Sequence, residues 1–167
     1  SLTDGAIVTS RSDGTGASGN IAIDLRNTLE ARDGEISTRS LQADGGAIGI
    51  NARGVILRED SDIRTNVDSG SGGGGNITIG SNFLIALEDS DILAFSADGT
   101  GGAIDLSQTT FFGQNFNLGS ENLSREELLA LDDNGRVDIN ATGGVESGQI
   151  FINDSSFVEN SLTALED

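Results

Sequence analysis

Cysteine is absent from all 167 residues, which removes disulfides, thiol nucleophiles and thiolate metal sites together. Histidine and lysine are missing too, so Ser-His-Asp triads, Schiff bases and His-ligated metals are excluded. Without lysine there is no phosphate-binding P-loop, and the run from Gly70 to Gly75 reads as a plain loop. Seven Phe are the only aromatics, leaving no Trp or Tyr to stack on a sugar ring. Proline and methionine do not occur, and no stretch approaches the roughly 20 apolar residues of a membrane-spanning helix. Positive charge is scarce: nine Arg face 27 acids, a formal net charge of −18. That sign repels phosphate backbones and anionic lipid surfaces, so neither nucleic-acid binding nor membrane insertion is expected. The sequence starts at Ser1 with neither Met nor a signal peptide, as expected of a piece of a longer protein.

What remains is an alphabet of Ile, Leu, Val and Ala punctuated by 24 Gly and many Asn, Ser, Thr and Asp. β-Branched residues suit strands, whereas Gly and Asx suit the turns between them. The order of these residues is periodic. One phrase recurs as Gly19-Asn20-Ile21, Gly46-Ala47-Ile48, Gly75-Asn76-Ile77 and Gly102-Ala103-Ile104, stepping by 27, 29 and 27 residues. A second runs out of phase: Asp33-Gly34-Glu35-Ile36, Asp60-Ser61-Asp62-Ile63 and Asp89-Ser90-Asp91-Ile92, preceded by Asp4-Gly5-Ala6-Ile7.

From the first phrase to the second the separation is 15 residues each time, whereas the return varies between 12 and 14. A constant wall joined by a variable loop is what stacked coils require, because insertions can only bulge into solvent. Each coil of about 27–29 residues reads as three short strands, with Ile-x-Ile facing inward in the first. The second covers Thr28 to Ala31, Val55 to Arg58 and Leu84 to Leu87, without a register that sequence alone decides. The third begins at Ile7, Ile36, Ile63 and Ile92, followed two residues later by Thr9, Thr38, Thr65 and Ala94. Leucine-rich, hexapeptide and nonapeptide calcium-roll periods are all missing, so the expected fold is all-β, a right-handed parallel β-helix.

Residues 1–112 form the regular coils in this reading, and 113–134 break them. There the third phrase expected near position 119 gives way to a loop whose Ser124-Arg125-Glu126-Glu127 is a capping box for a short helix. Strand-like phrases resume at Val137-Asp138-Ile139 and Ile150-Phe151-Ile152, so 135–167 read as the final coil and cap, with Phe157 to Leu165 closing the lower end. Helix and tail are expected to shield the last open edge.

The stretch from Gly74 to Ile92, then Gly101-Gly102-Ala103-Ile104, Phe111-Phe112-Gly113, Gly135-Arg136-Val137-Asp138-Ile139 and Ser155 to Thr163, resembles the large exoproteins of the filamentous-haemagglutinin type, especially cyanobacterial members and the closing part of their repeat region. The likeness spans nearly the whole chain. It implies a right-handed β-helix exported by two-partner secretion through an outer-membrane β-barrel transporter, secreted or held at the outer cell surface, and acting in adhesion, aggregation or the extracellular matrix. The secretion domain of that family is not in these residues, and no catalytic motif carries over.

Two chemistries survive for the acids. Stacked coils place Asp33, Asp60 and Asp89 in one column and Glu35, Asp62 and Asp91 in the next, an oxygen-rich ladder suited to calcium; the candidate ligands are Asp33, Asp60, Asp62, Asp89 and Asp91. The plainer account lets these acids fan into water and cap turns. The alternative function is a polysaccharide lyase or glycoside hydrolase using Asp60, Asp62, Asp89 and Asp91 with Arg58 or Arg64. Because the acids follow the repeat rather than forming a singular site, the sequence favours a non-catalytic structural or adhesive solenoid, its partners surface glycans or further copies of itself.

Overall fold

A computed structural model describes residues 1–119, 123–131 and 134–153. In chain order the elements are β1 (Leu2–Ser12), β2 (Ile21–Asp24), β3 (Thr28–Ser40), β4 (Ile48–Asn51), β5 (Gly54–Arg58), β6 (Asp62–Val67), β7 (Ile77–Gly80), β8 (Phe83–Ala86), β9 (Ile92–Ser96), β10 (Ile104–Leu106), β11 (Thr110–Gly113), β12 (Asn117–Gly119), α1 (Arg125–Leu129), β13 (Asp138–Asn140) and β14 (Ile150–Ile152). They wind into a β-solenoid of about four turns. Among the described residues all strand pairings are parallel, and they build three walls. Wall 1 stacks β2, β4, β7, β10 and β14. Wall 2 stacks the first half of β3 on β5, β8 and β11. Wall 3 stacks β1, the second half of β3, β6, β9, β13 and β12.

Period-two alternation turns one apolar set into a single shaft. In wall 1 the column is Ile21–Ile48–Ile77–Ile104–Ile150, and its middle three members are at most 1% exposed. Wall 2 contributes Leu29–Val55–Leu84–Phe111, which settles the register that sequence left open. Wall 3 contributes Ile36–Ile63–Ile92–Ile139. Each fully buried Ile contributes about 1.5–3 kcal/mol of transfer free energy.

The first coil corrects the expected column. Val8, not Ile7, stands opposite Ile36, and Ile7 faces outward opposite Glu35 with 61% of its surface exposed. A register shift lies between Thr3 and Ala6: Asp4 and Gly5 both take positive φ, as Glu59-Asp60 and Glu88-Asp89 do in later coils, while the second coil turns on Asp33 alone. Ile7 follows the last left-handed residue by two positions and Ile63 by three, so period-two alternation puts them on opposite faces. Ser10 rather than Thr9 therefore stacks on Thr38.

Two local devices let the coils stack. The Asn turn ladder forms, with Asn20 Oδ1 accepting from the Ala47 N–H at 2.8 Å and Asn76 Oδ1 from the Ala103 N–H at 2.9 Å. Beside it the coils touch backbone to backbone. A Cβ on Gly75 would lie 2.0 Å from the Gly46 carbonyl oxygen, and one on Gly102 equally close to that of Gly75, so the repeated Gly is a steric requirement. Thr38 and Thr65, both fully buried, donate their hydroxyls to the Gly46 and Gly75 carbonyls at 2.6 and 2.7 Å. These bonds tie wall 3 to the start of wall 1 in the same coil.

The segment 113–134 departs from the expectation in two ways. The third phrase is not replaced: β12 lies close to its periodic position and joins wall 3, but β13 is inserted between it and β9. Nor is α1 simply a lid on the lower end. Its Leu128, with Leu131, packs on Leu93 of β9, joined by Phe95 and Leu123, so the helix clasps the outer face of wall 3. The capping box is present as read, Ser124 accepting from the Glu127 N–H while Glu127 accepts from the Ser124 N–H. The closing segment expected at Phe157 to Leu165 lies outside the described residues.

Candidate functional site

The acids of the second phrase lie at the corner between walls 2 and 3. Asp33, Asp60 and Asp89 stack there in the left-handed region, with φ of 49°, 61° and 63°. Asp is among the few side chains that tolerate this conformation, which accounts for the repeated residue; Glu59 and Glu88 beside it adopt it as well, with φ of 54° and 57°. The serine that follows turns inward. Ser61 Oγ accepts from the Gly34 N–H at 3.2 Å, and Ser90 Oγ from the Ser61 N–H at 3.0 Å, a buried hydroxyl ladder that the sequence reading missed although the recurring Asp-Ser-Asp marks it.

The next residue faces outward and forms the column Glu35–Asp62–Asp91–Asp138 on wall 3. Arg64 lies 3.1 Å from Glu35 Oε2 and 3.6 Å from Asp62 Oδ2. Partial burial opposes ionisation of Glu35, but hydrogen bonds from Arg64 and Ser37 outweigh it and hold the carboxyl below its ordinary value. Further along, Asp62 Oδ1 accepts from the Asp91 N–H at 3.0 Å and Asp91 Oδ1 from the Asp138 N–H at 2.7 Å. Asp138 is also held by Arg136, Asn134 and Asn117.

A surface hollow of about 190 Å³ gathers Asp33, Asp60 and Asp62 beside Glu35 and Arg64; Asp89 and Asp91 do not line it. The five candidate calcium ligands are thus divided between two columns, with the Arg64 guanidinium already beside the acids of one. Among the described residues no group of three or more acidic side chains is arranged to hold a metal ion.

The residues weighed for lyase chemistry are engaged differently from what a proton-abstracting site needs. Arg58 Nη2 is 3.0 Å from Glu88 Oε1, and that hydrogen bond, with the carboxylate's charge, makes the guanidinium a weaker acid while it lowers the pKa of Glu88. Glu127 is occupied as a helix cap, its pKa lowered by the Ser124 hydroxyl. A second hollow of about 350 Å³ lies between α1 and wall 3 and is lined by Leu118, Leu123 and Leu131 together with Glu127 and Arg136. The apolar patch under α1 was also missed, yet the signal was present: Leu93 and Phe95 occupy outward positions that Arg64 and Asn66 hold one coil earlier.

Fold and site together define a parallel β-solenoid whose polar chemistry follows the repeat. No known protein family, curated protein or solved structure matches the chain.

Proposed function

We propose that this chain is a non-catalytic solenoid segment of a secreted or cell-surface bacterial exoprotein of the filamentous-haemagglutinin type, serving adhesion, aggregation or an extracellular matrix. The observation that carries the reading is where the chemistry sits. Acids, hydroxyls and arginines recur coil by coil and are used in turns, ladders and ion pairs, whereas an enzyme on this scaffold needs one groove with residues that break the repeat. The one segment that does break it, residues 113–134, applies Leu123, Leu128 and Leu131 to wall 3 and its Glu127 to a helix cap. A high negative charge suits a rod that stays dispersed outside the cell. In the full-length protein the partner for export is an outer-membrane two-partner-secretion transporter, and the displayed partners are surface glycans or other copies of the rod.

A glycan array and a pull-down from cell-surface extracts, run with calcium and with chelator, test this, with new reducing ends monitored in parallel. Binding without release of sugar ends supports the adhesive reading. Cleavage that disappears in Asp62→Asn or Asp89→Asn overturns it in favour of a carbohydrate-active enzyme.

A further inference from the structure

Asn134 is the only asparagine in the chain that precedes a glycine. Elsewhere the residue after Asn carries a Cβ, which screens its backbone nitrogen from the amide side chain; Gly135 carries none. Both residues are exposed, Gly135 takes φ of 79°, and a Cβ built there would meet nothing within 4 Å, so the turn is open to water. The Asn134 side chain is nevertheless held in one pose. Its Oδ1 accepts from the Arg136 N–H at 3.0 Å, closing an Asx turn, and its Nδ2 donates to Asp138 Oδ2 at 2.7 Å. The first bond folds the amide back over the Gly135 peptide and gives its oxygen a donor for negative charge that develops there.

The residue that the second bond serves is buried. Asp138 is 0% exposed, and its carboxylate is held by neutral amides and one guanidinium: Asn134 and Arg136 on Oδ2, Asn117 on Oδ1. It also begins β13, and its N–H bonds to Asp91 Oδ1 at 2.7 Å, beside the pairs of Ile139 with Ile92 and Asn140 with Leu93 that join β13 to β9. β12 reaches wall 3 only through β13. Asn134 is thus a neutral donor on a buried acid, at the rung where the chain returns to the solenoid.

We propose that Asn134 is a covalent modification site: its amide nitrogen leaves as ammonia through a cyclic imide with Gly135, and the carboxylate left behind unlatches β13 from β9. The Gly135 backbone nitrogen, having given its proton to hydroxide, attacks the Asn134 Cγ. A bond forms between that nitrogen and Cγ, the Cγ–Nδ2 bond breaks, and Nδ2 takes up a proton from water and departs as ammonia. Water then opens the five-membered ring at either carbonyl, giving aspartate or isoaspartate, and no oxidant or further reactant is required. Either product removes the donor from Asp138 Oδ2. Aspartate sets a second carboxylate beside the buried one, and isoaspartate lengthens the main chain by one carbon, which breaks the Asx turn. Exchanging a charge-assisted hydrogen bond for repulsion lowers the ratio of closed to open β13 by about tenfold or more.

The test incubates the folded full chain in mildly alkaline buffer. Trypsin then releases the peptide Glu126–Arg136, whose only amide side chain is that of Asn134. That peptide is expected to gain the mass that separates an acid from an amide, and to resolve into aspartate and isoaspartate forms on chromatography. Asn134→Gln, in which the same attack must close a slower six-membered ring, is expected to stay unmodified under the same conditions. The consequence is read in Asn134→Asp by hydrogen exchange. Protection at the Asp138 and Ala141 N–H groups is expected to fall by about tenfold or more, while that at Ile77 is unchanged. The same exchange on the aged wild type reads the product without relying on the variant's folding. An unmodified peptide from the folded chain, conversion only after unfolding in urea, or full protection in both Asn134→Asp and the aged protein each overturn the proposal.

Discussion

Two isoleucines that look alike in sequence, each following an acidic turn phrase, are assigned opposite fates by the register shift in β1. Ile63 is 0% exposed and stacked between Ile36 and Ile92; Ile7 is 61% exposed. Replacing Ile63 by Ala removes three carbons, a transfer loss of about 2.4 kcal/mol at about 0.8 kcal/mol per carbon. The cavity adds to this, because strands held about 4.8 Å apart by ladder hydrogen bonds above and below cannot close the gap. The total is about 3–4 kcal/mol, a large fraction of a domain stability of about 5–15 kcal/mol. Ile7→Ala forfeits only the covered minority of the same surface and costs less than about 1 kcal/mol. Urea unfolding followed by circular dichroism reads both. With a slope of about 2 kcal/mol/M, the midpoint of Ile63→Ala falls by about 1.5–2 M and that of Ile7→Ala by less than about 0.5 M. Two independent probes must give coincident transitions, because a repeat array can unfold in parts. Equal losses at the two positions would refute the register shift and return Ile7 to the shaft.

The glycine ladder yields a matched pair. Gly75→Ala drives a methyl into the Gly46 carbonyl and is expected to destabilise by more than about 2 kcal/mol, whereas Gly49→Ala meets nothing within 4 Å and is expected to be neutral or slightly stabilising, both read as shifts in Tm. Thr65→Val keeps the shape but leaves the buried Gly75 carbonyl without its hydroxyl donor, an expected loss of about 1–3 kcal/mol in the same melts. A Thr65→Val protein as stable as the wild type would mean that the tie between wall 3 and wall 1 contributes nothing.

The repeat was legible because every coil must satisfy the same neighbours. Ile21, Ile48, Ile77 and Ile104 recur where they do because strands stacked in parallel demand equivalent side chains at equivalent heights, and the constant 15-residue path from Ile48 to Ile63 is the length of walls that tolerate no insertion. Ile7 was misplaced for a physical reason. The phrase from Asp4 to Ile7 imitates the one from Asp33 to Ile36, but Asp4 and Gly5 fill the two left-handed places that Glu59 and Asp60 fill later, whereas the second coil has Asp33 alone, so Ile7 falls one place short of the inward column. The outward patch at Leu93 and Phe95 was readable in principle as a departure from the column of Arg64 and Asn66. A search for sameness passes over it.

Asp91 marks the limit of reading by column. In sequence it is indistinguishable from Asp62: the same Asp-Ser-Asp-Ile phrase, the same corner, the same outward register. The ladder bond does not separate them, since Asp62 accepts the Asp91 N–H as Asp91 accepts that of Asp138, on a strand inserted between β9 and β12; the arginine does, Arg64 lying 3.6 Å from Asp62 while no ion pair reaches Asp91 among the described residues. Periodicity predicts that the strand following β11 should lie directly beneath β9, and that is the place β12 has yielded. In the interior of the regular coils the equivalent Asp62 is also buried, but it has the Arg64 guanidinium beside it. At the one rung where the chain leaves the repeat and returns, the same acid is sealed among like charges, and that burial pushes its carboxyl up to about 8.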